Sequence, residues 1–72
     1  MQLERRQMDN LKINVKAIAS MRNQTIAELA KDAGLNDYHL QNVSAGRVKL
    51  TLEDAIQLSK LTSIPAENII AK

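Results

Sequence analysis

The sequence predicts an all-α domain, a compact five-helix bundle, on three observations. Apolar residues recur at the 3.6-residue helical spacing through most of the chain. One tyrosine is the only aromatic and strand-like alternation is scarce. Helix start and stop signals alternate in register with the apolar stripes. Seventy-two residues, 44% of them hydrophobic, can bury one modest core and rarely divide further. Residues 1–9 read as an amino-terminal arm or an extra helical turn, and 10–72 as a single domain.

The first helix carries Leu11, Val15, Ile18 and Ala19 on one stripe, with Lys12 and Lys16 outside it, and should end near Asn23, which tolerates a left-handed backbone. Thr25-Ile26-Ala27-Glu28 has the form of a capping box and opens the second. Its inner face is Ile26, Leu29, Ala30 and Ala33, and Gly34 supplies the positive φ that stops it. Leu35 anchors the turn, and Asn36 caps a third helix whose inward pair is Leu40 and Val43 before Gly46 ends it. Asp37, Tyr38, Gln41 and Asn42 are left on its outer side.

After a basic loop, Thr51-Leu52-Glu53-Asp54 opens a fourth helix with the same hydroxyl-plus-acid logic. Leu52, Ala55, Ile56, Leu58 and Leu61 cover more than half its circumference, so it is expected to pack on two sides. Pro65 suits the first position of a short fifth helix carrying Ile69 and Ile70.

Composition narrows the function classes. No cysteine is present for a disulfide or a thiolate zinc site, and no apolar run approaches the roughly 18 residues that span a bilayer. Met1 to Asn10 is polar where a signal peptide needs a hydrophobic stretch, so a cytoplasmic protein without membrane contact is expected. His39 is the only histidine and no acid–base pair or phosphate loop can be assembled by spacing. The expectation is therefore a non-enzyme with no metal and no cofactor. The net charge of +2 says little, but Arg5, Arg6, Lys12, Lys16 and Arg22 lie early while Arg47 and Lys49 follow the third helix.

Two short helices joined by a glycine-containing turn form a helix-turn-helix, in which Ala30 must be small where the third helix crosses. The ordered set Leu29-Ala30, Gly34-Leu35-Asn36, Leu40, Val43, Gly46-Arg47, Thr51…Ile56…Leu58 and Ile64-Pro65 resembles the Cro/repressor-type, or XRE-like, family from about Ile13 to Ile70. That resemblance implies a lambda repressor-like DNA-binding domain whose third helix enters the major groove. It also implies a homodimer on double-stranded DNA with half-sites about 34 Å apart. Asp37, Tyr38, Gln41 and Asn42 would then face base edges, and the amides of Gln41 and Asn42 suit adenine N6 and N7. Asp37 has two readings, acceptor from a cytosine N4 or partner of the helix dipole. Tyr38 likewise reads as a thymine-methyl or phosphate contact, or as a solvent-facing side chain.

Phosphate contacts are expected from Thr25, Asn36, Arg47 and Lys49, with Arg5 and Arg6 as possible arm contacts. Ile64, Ile69 and Ile70 are the candidate dimer interface, because adjacent isoleucines cannot both face one small core. The chain departs from the family at Ile26, where a phosphate-touching glutamine is common. It departs again at Ala19 and Ser44, where many members pair a buried Arg and Glu, and at Thr62 in place of a leucine. The rival reading is a protein-interaction module on the same fold, antitoxin-like or antirepressor-like, with a second protein as partner.

Overall fold

A computed structural model describes residues 11–72; residues 1–10, with the expected arm residues Arg5 and Arg6, lie outside them. The element order is β1 (Ile13–Asn14), α1 (Val15–Met21), α2 (Ile26–Ala33), α3 (Asp37–Ser44), α4 (Leu52–Thr62), a 3-10 turn (Ala66–Asn68) and β2 (Ile69–Ile70). The described residues are mostly helical, with four α-helices and one small ribbon.

Each helix starts on a side chain that accepts one of the amides the first turn leaves unpaired. Asn14 accepts from the Ala17 amide at 2.7 Å and Asn36 from that of His39 at 2.9 Å. Thr25 with Glu28, and Thr51 with Asp54, form complete capping boxes. Each helix also stops on a left-handed residue: Asn23 at φ 58, Gly34 at 74, Gly46 at 82 and Ser63 at 66. At the first three stops the next amide reaches back five residues: Gln24 to Ala19, Leu35 to Ala30 and Arg47 to Asn42. This is the Schellman arrangement, and it satisfies carbonyls that would otherwise be orphaned.

Between these stops, Val15, Ile18 and Ala19 meet Leu29, Ala30 and Ala33, with Leu40, Val43, Leu58 and Ile69 closing the core. Ile18, Leu29, Leu40, Leu58, Val15 and Val43 are fully enclosed. Burial of each is worth about 1.5–3 kcal/mol. Helix α2 packs most extensively on α3, across the three-residue turn Gly34 to Asn36. Ala30 is fully buried in that core. Ala19 is buried and Ser44 half-buried with no unsatisfied buried side-chain atom among the described residues, so the position needs no ion pair.

Two expectations about the helices are corrected. Leu11 does not extend the first helical stripe: Asn14 caps α1 after it, and Leu11 is exposed. The fifth helix is a single 3-10 turn after Pro65, because Ile69 and Ile70 go extended and pair in parallel with Ile13 and Asn14. Two β-branched residues favour that conformation. Helix α4 meets α2, the 3-10 turn and β2, with Asp54, Ala55 and Leu58 buried; Leu52, 74% exposed, and Ile56, 39% exposed, are the part of its apolar arc that the single chain leaves uncovered. No helix among the described residues is long and apolar enough to cross a membrane.

The ribbon joins the two ends of the domain. Ile69 is buried against Ile13, and Lys12 Nζ donates to the Glu67 carbonyl at 3.0 Å. Alternation along β2 turns Ile70 outward. Ile69 therefore belongs to the chain's own core and is not free for a dimer; Ile64 is packed against the same core, and Ile70 alone of the three is exposed.

Candidate functional site

Helix α3 presents a continuous polar face because its two apolar positions, Leu40 and Val43, are spent on the core. Asp37, Tyr38 and Gln41 are exposed, Tyr38 by 78%, and Asn42 is half-buried. The four expected base-facing residues thus share one short helix, but three of them are engaged. Gln41 Nε2 donates to Asp37 Oδ1 at 2.7 Å, one helical turn back, and Asn42 Oδ1 accepts from Arg47 Nη1 at 3.2 Å. A bidentate contact with adenine requires each amide to exchange that bond for one to the base. Both bonds are solvent-accessible, so the exchange strands no buried group.

The expected phosphate contacts divide into two kinds. Thr25 and Asn36 are helix caps with their side-chain oxygens occupied by the Glu28 and His39 amides. At Thr25 the Glu28 carboxylate also takes the cap's own amide at 2.9 Å, so that helix end already holds an anion. Beside it an open groove of about 500 Å³ lies between α1 and α2, with Lys16 and Glu28 as its opposing charges and Ile26 on its wall. Arg47 and Lys49 are different: both are exposed in the loop after α3, and neither has a carboxylate partner among the described residues. Of the early cations, Arg22 is engaged, 3.8 Å from Asp32 and bonded to Gln24, which itself donates to Asp32. Arg47 and Lys49 thus place two unpaired cations just past the end of α3, while Lys16, Lys31 and Lys60 are exposed and equally without an ion pair elsewhere among the described residues.

One polar contact behind α3 was not apparent in the sequence. His39 Nε2 meets Asp54 Oδ2 at 2.7 Å, and the same oxygen accepts the Thr51 amide at 3.0 Å. In the sequence His39 is a lone histidine for which spacing assembles no acid–base pair, and Asp54 is a capping acid; in the fold one carboxylate caps α4 and holds α3 to it. Burial of Asp54 acts to raise its carboxyl pKa, but hydrogen bonds from His39 and Thr51, with the charge of His39, together hold it below the usual value. No group of acids or histidines able to hold a metal occurs among the described residues.

Comparison with family models, with curated proteins and with solved structures finds no match to the chain.

Proposed function

We propose that the chain is a small transcriptional regulator, a repressor acting in the cytoplasm, that binds double-stranded DNA with α2 and α3 as a helix-turn-helix of the Cro/repressor type. The observation that carries this reading is the α2–α3 unit itself. A three-residue turn stopped by left-handed Gly34 sets α3 against α2, its polar face stays exposed, and Arg47 and Lys49 follow its end. On this reading α3 lies in the major groove, Gln41 and Asn42 read bases with Asp37 and Tyr38 at the same face, and Arg47 and Lys49 fix the register on phosphate. Two half-sites imply a homodimer, for which the exposed Leu52, Ile56 and Ile70 are the available apolar side chains.

Selection of bound duplexes from a random pool tests this directly. Enrichment of a motif with two-fold symmetry is the expected result; failure to enrich any sequence counts against it. A second reading, a protein-interaction module on the same scaffold, is favoured by the exposed Leu52 and Ile56 and by the Asp37 carboxylate on the outer face of α3. The two separate on salt: DNA binding through several phosphates weakens steeply as salt rises, and an apolar protein interface does not.

A further inference from the structure

Gly46 has a neighbour that lies far from it in sequence. A Cβ built on Gly46 would stand 3.1 Å from Lys72 Cδ and 3.4 Å from Lys72 Nζ. The last described residue thus lays its side chain across the end of α3, over the one position in that loop with no side chain of its own. Two features bring it there. The β1–β2 pairing returns the chain to the α1 side of the core, and Ala71 packs against the same core immediately before Lys72. Gly46 holds φ 82, so the backbone turns there and Arg47 and Lys49 leave on the same loop. Lys72 is exposed and makes no ion pair among the described residues, as is true of Arg47 and Lys49.

We propose that Lys72 is a phosphate-contacting residue, the third cation of a cluster with Arg47 and Lys49 that receives the phosphodiester backbone of DNA at the end of α3. The inference rests on the DNA-binding reading above and extends it to a residue on a different element. Charge complementarity identifies the occupant. Lys72 over Gly46, with Arg47 next to that glycine in sequence and Lys49 on the same loop, offers a backbone-following anion several points of contact, whereas Asp37, the acid of the same helix, stands at its opposite end. The competing role for Lys72 is purely structural, as a cation facing the carbonyl end of α3.

Salt titration distinguishes the two roles. Binding of the full chain to a short DNA duplex of mixed sequence is measured over a salt series for the wild type, Lys72→Ala, Lys72→Arg, Arg47→Ala, Lys49→Ala and Lys60→Ala, each below its own melting temperature. Lys60 is an exposed cation on α4 outside the cluster. One lost phosphate contact lowers the slope of log affinity on log salt by about 0.9, so between roughly 50 and 200 mM salt Lys72→Ala loses about threefold to fourfold less affinity than the wild type. Lys72→Arg and Lys60→Ala should keep the wild-type slope. A wild-type slope for Lys72→Ala, alongside reduced slopes for Arg47→Ala and Lys49→Ala, overturns the role of Lys72 and leaves the DNA-binding reading standing. Absent or salt-independent binding by the wild type overturns both.

Discussion

The Asp54 carboxylate is shared between His39, 2.7 Å away on α3, and the Thr51 amide that begins its own helix. One buried oxygen therefore fixes both where α4 starts and how α3 lies against it. Because the carboxyl pKa is lowered in the folded chain, unfolding raises it toward the ordinary value of 3.8. The unfolded state then binds the proton first as pH falls, so the stabilisation is complete above that value and drains away as pH drops through the lowered one. Urea unfolding at a series of pH values should show Asp54→Asn less stable than the wild type near neutrality, with the gap narrowing below about pH 4. Parallel acid limbs for the two proteins would show that the carboxylate contributes nothing in its charged form.

Gly34 permits a clean measurement of backbone strain. No atom lies within 4 Å of a Cβ added there, so Gly34→Ala meets no clash and its cost comes from φ 74 alone. Thermal or chemical unfolding should register a loss of about 1–2 kcal/mol. An unchanged stability would mean that the turn relaxes to a negative φ without disturbing Leu35 and Leu40.

On the outer face of α3, Gln41→Ala and Asn42→Ala should each cost about 1–3 kcal/mol on a selected site and leave binding to unrelated duplexes nearly unaltered. If α3 is the DNA-facing helix, Asp37→Ala should tighten binding to every sequence, since it removes a negative charge from that face and releases the Gln41 amide. Electrophoretic or fluorescence titrations on matched and scrambled duplexes measure both effects. Equal losses on all duplexes for Gln41→Ala would remove it from the base-reading set.

Leu52 is the most exposed aliphatic side chain that helix α4 carries, and replacing it should leave the fold intact. If the homodimer uses this surface, Leu52→Glu should sediment as a monomer at concentrations where the wild type associates, with the melting of the monomer itself shifted by no more than about 0.5 kcal/mol. A wild type that stays monomeric at high concentration argues against the dimer.

What was readable from the residues was what local chemistry dictates. The starts of α2, α3 and α4 are written in Thr25 with Glu28, Asn36, and Thr51 with Asp54, all acting within one turn, and the ends of α2 and α3 in Gly34 and Gly46. The exposure of Asp37, Tyr38 and Gln41 followed from the inward spacing of Leu40 and Val43. What escaped was non-local or rested on a choice between equivalent stripes. Leu11 continues an apolar period that Asn14 interrupts, and Leu52 occupies the first position of a helix whose Asp54 takes the inward place instead. The Ile13–Ile69 pairing, the His39–Asp54 contact and the approach of Lys72 to Gly46 join segments that carry no mutual signal along the chain.

The pairing of Ile13 with Ile69 closes the longest loop in the domain, and a closure of that span carries a larger entropic penalty than any contact within α2 and α3. The same closure fixes the backbone two residues before Lys72, which lies beside Gly46. A chain with its central helices formed and its ends unjoined would hold the exposed face of α3 but one charge fewer beside it. The strength of its grip on a polyanion would then report whether the last long-range link of the fold has been made.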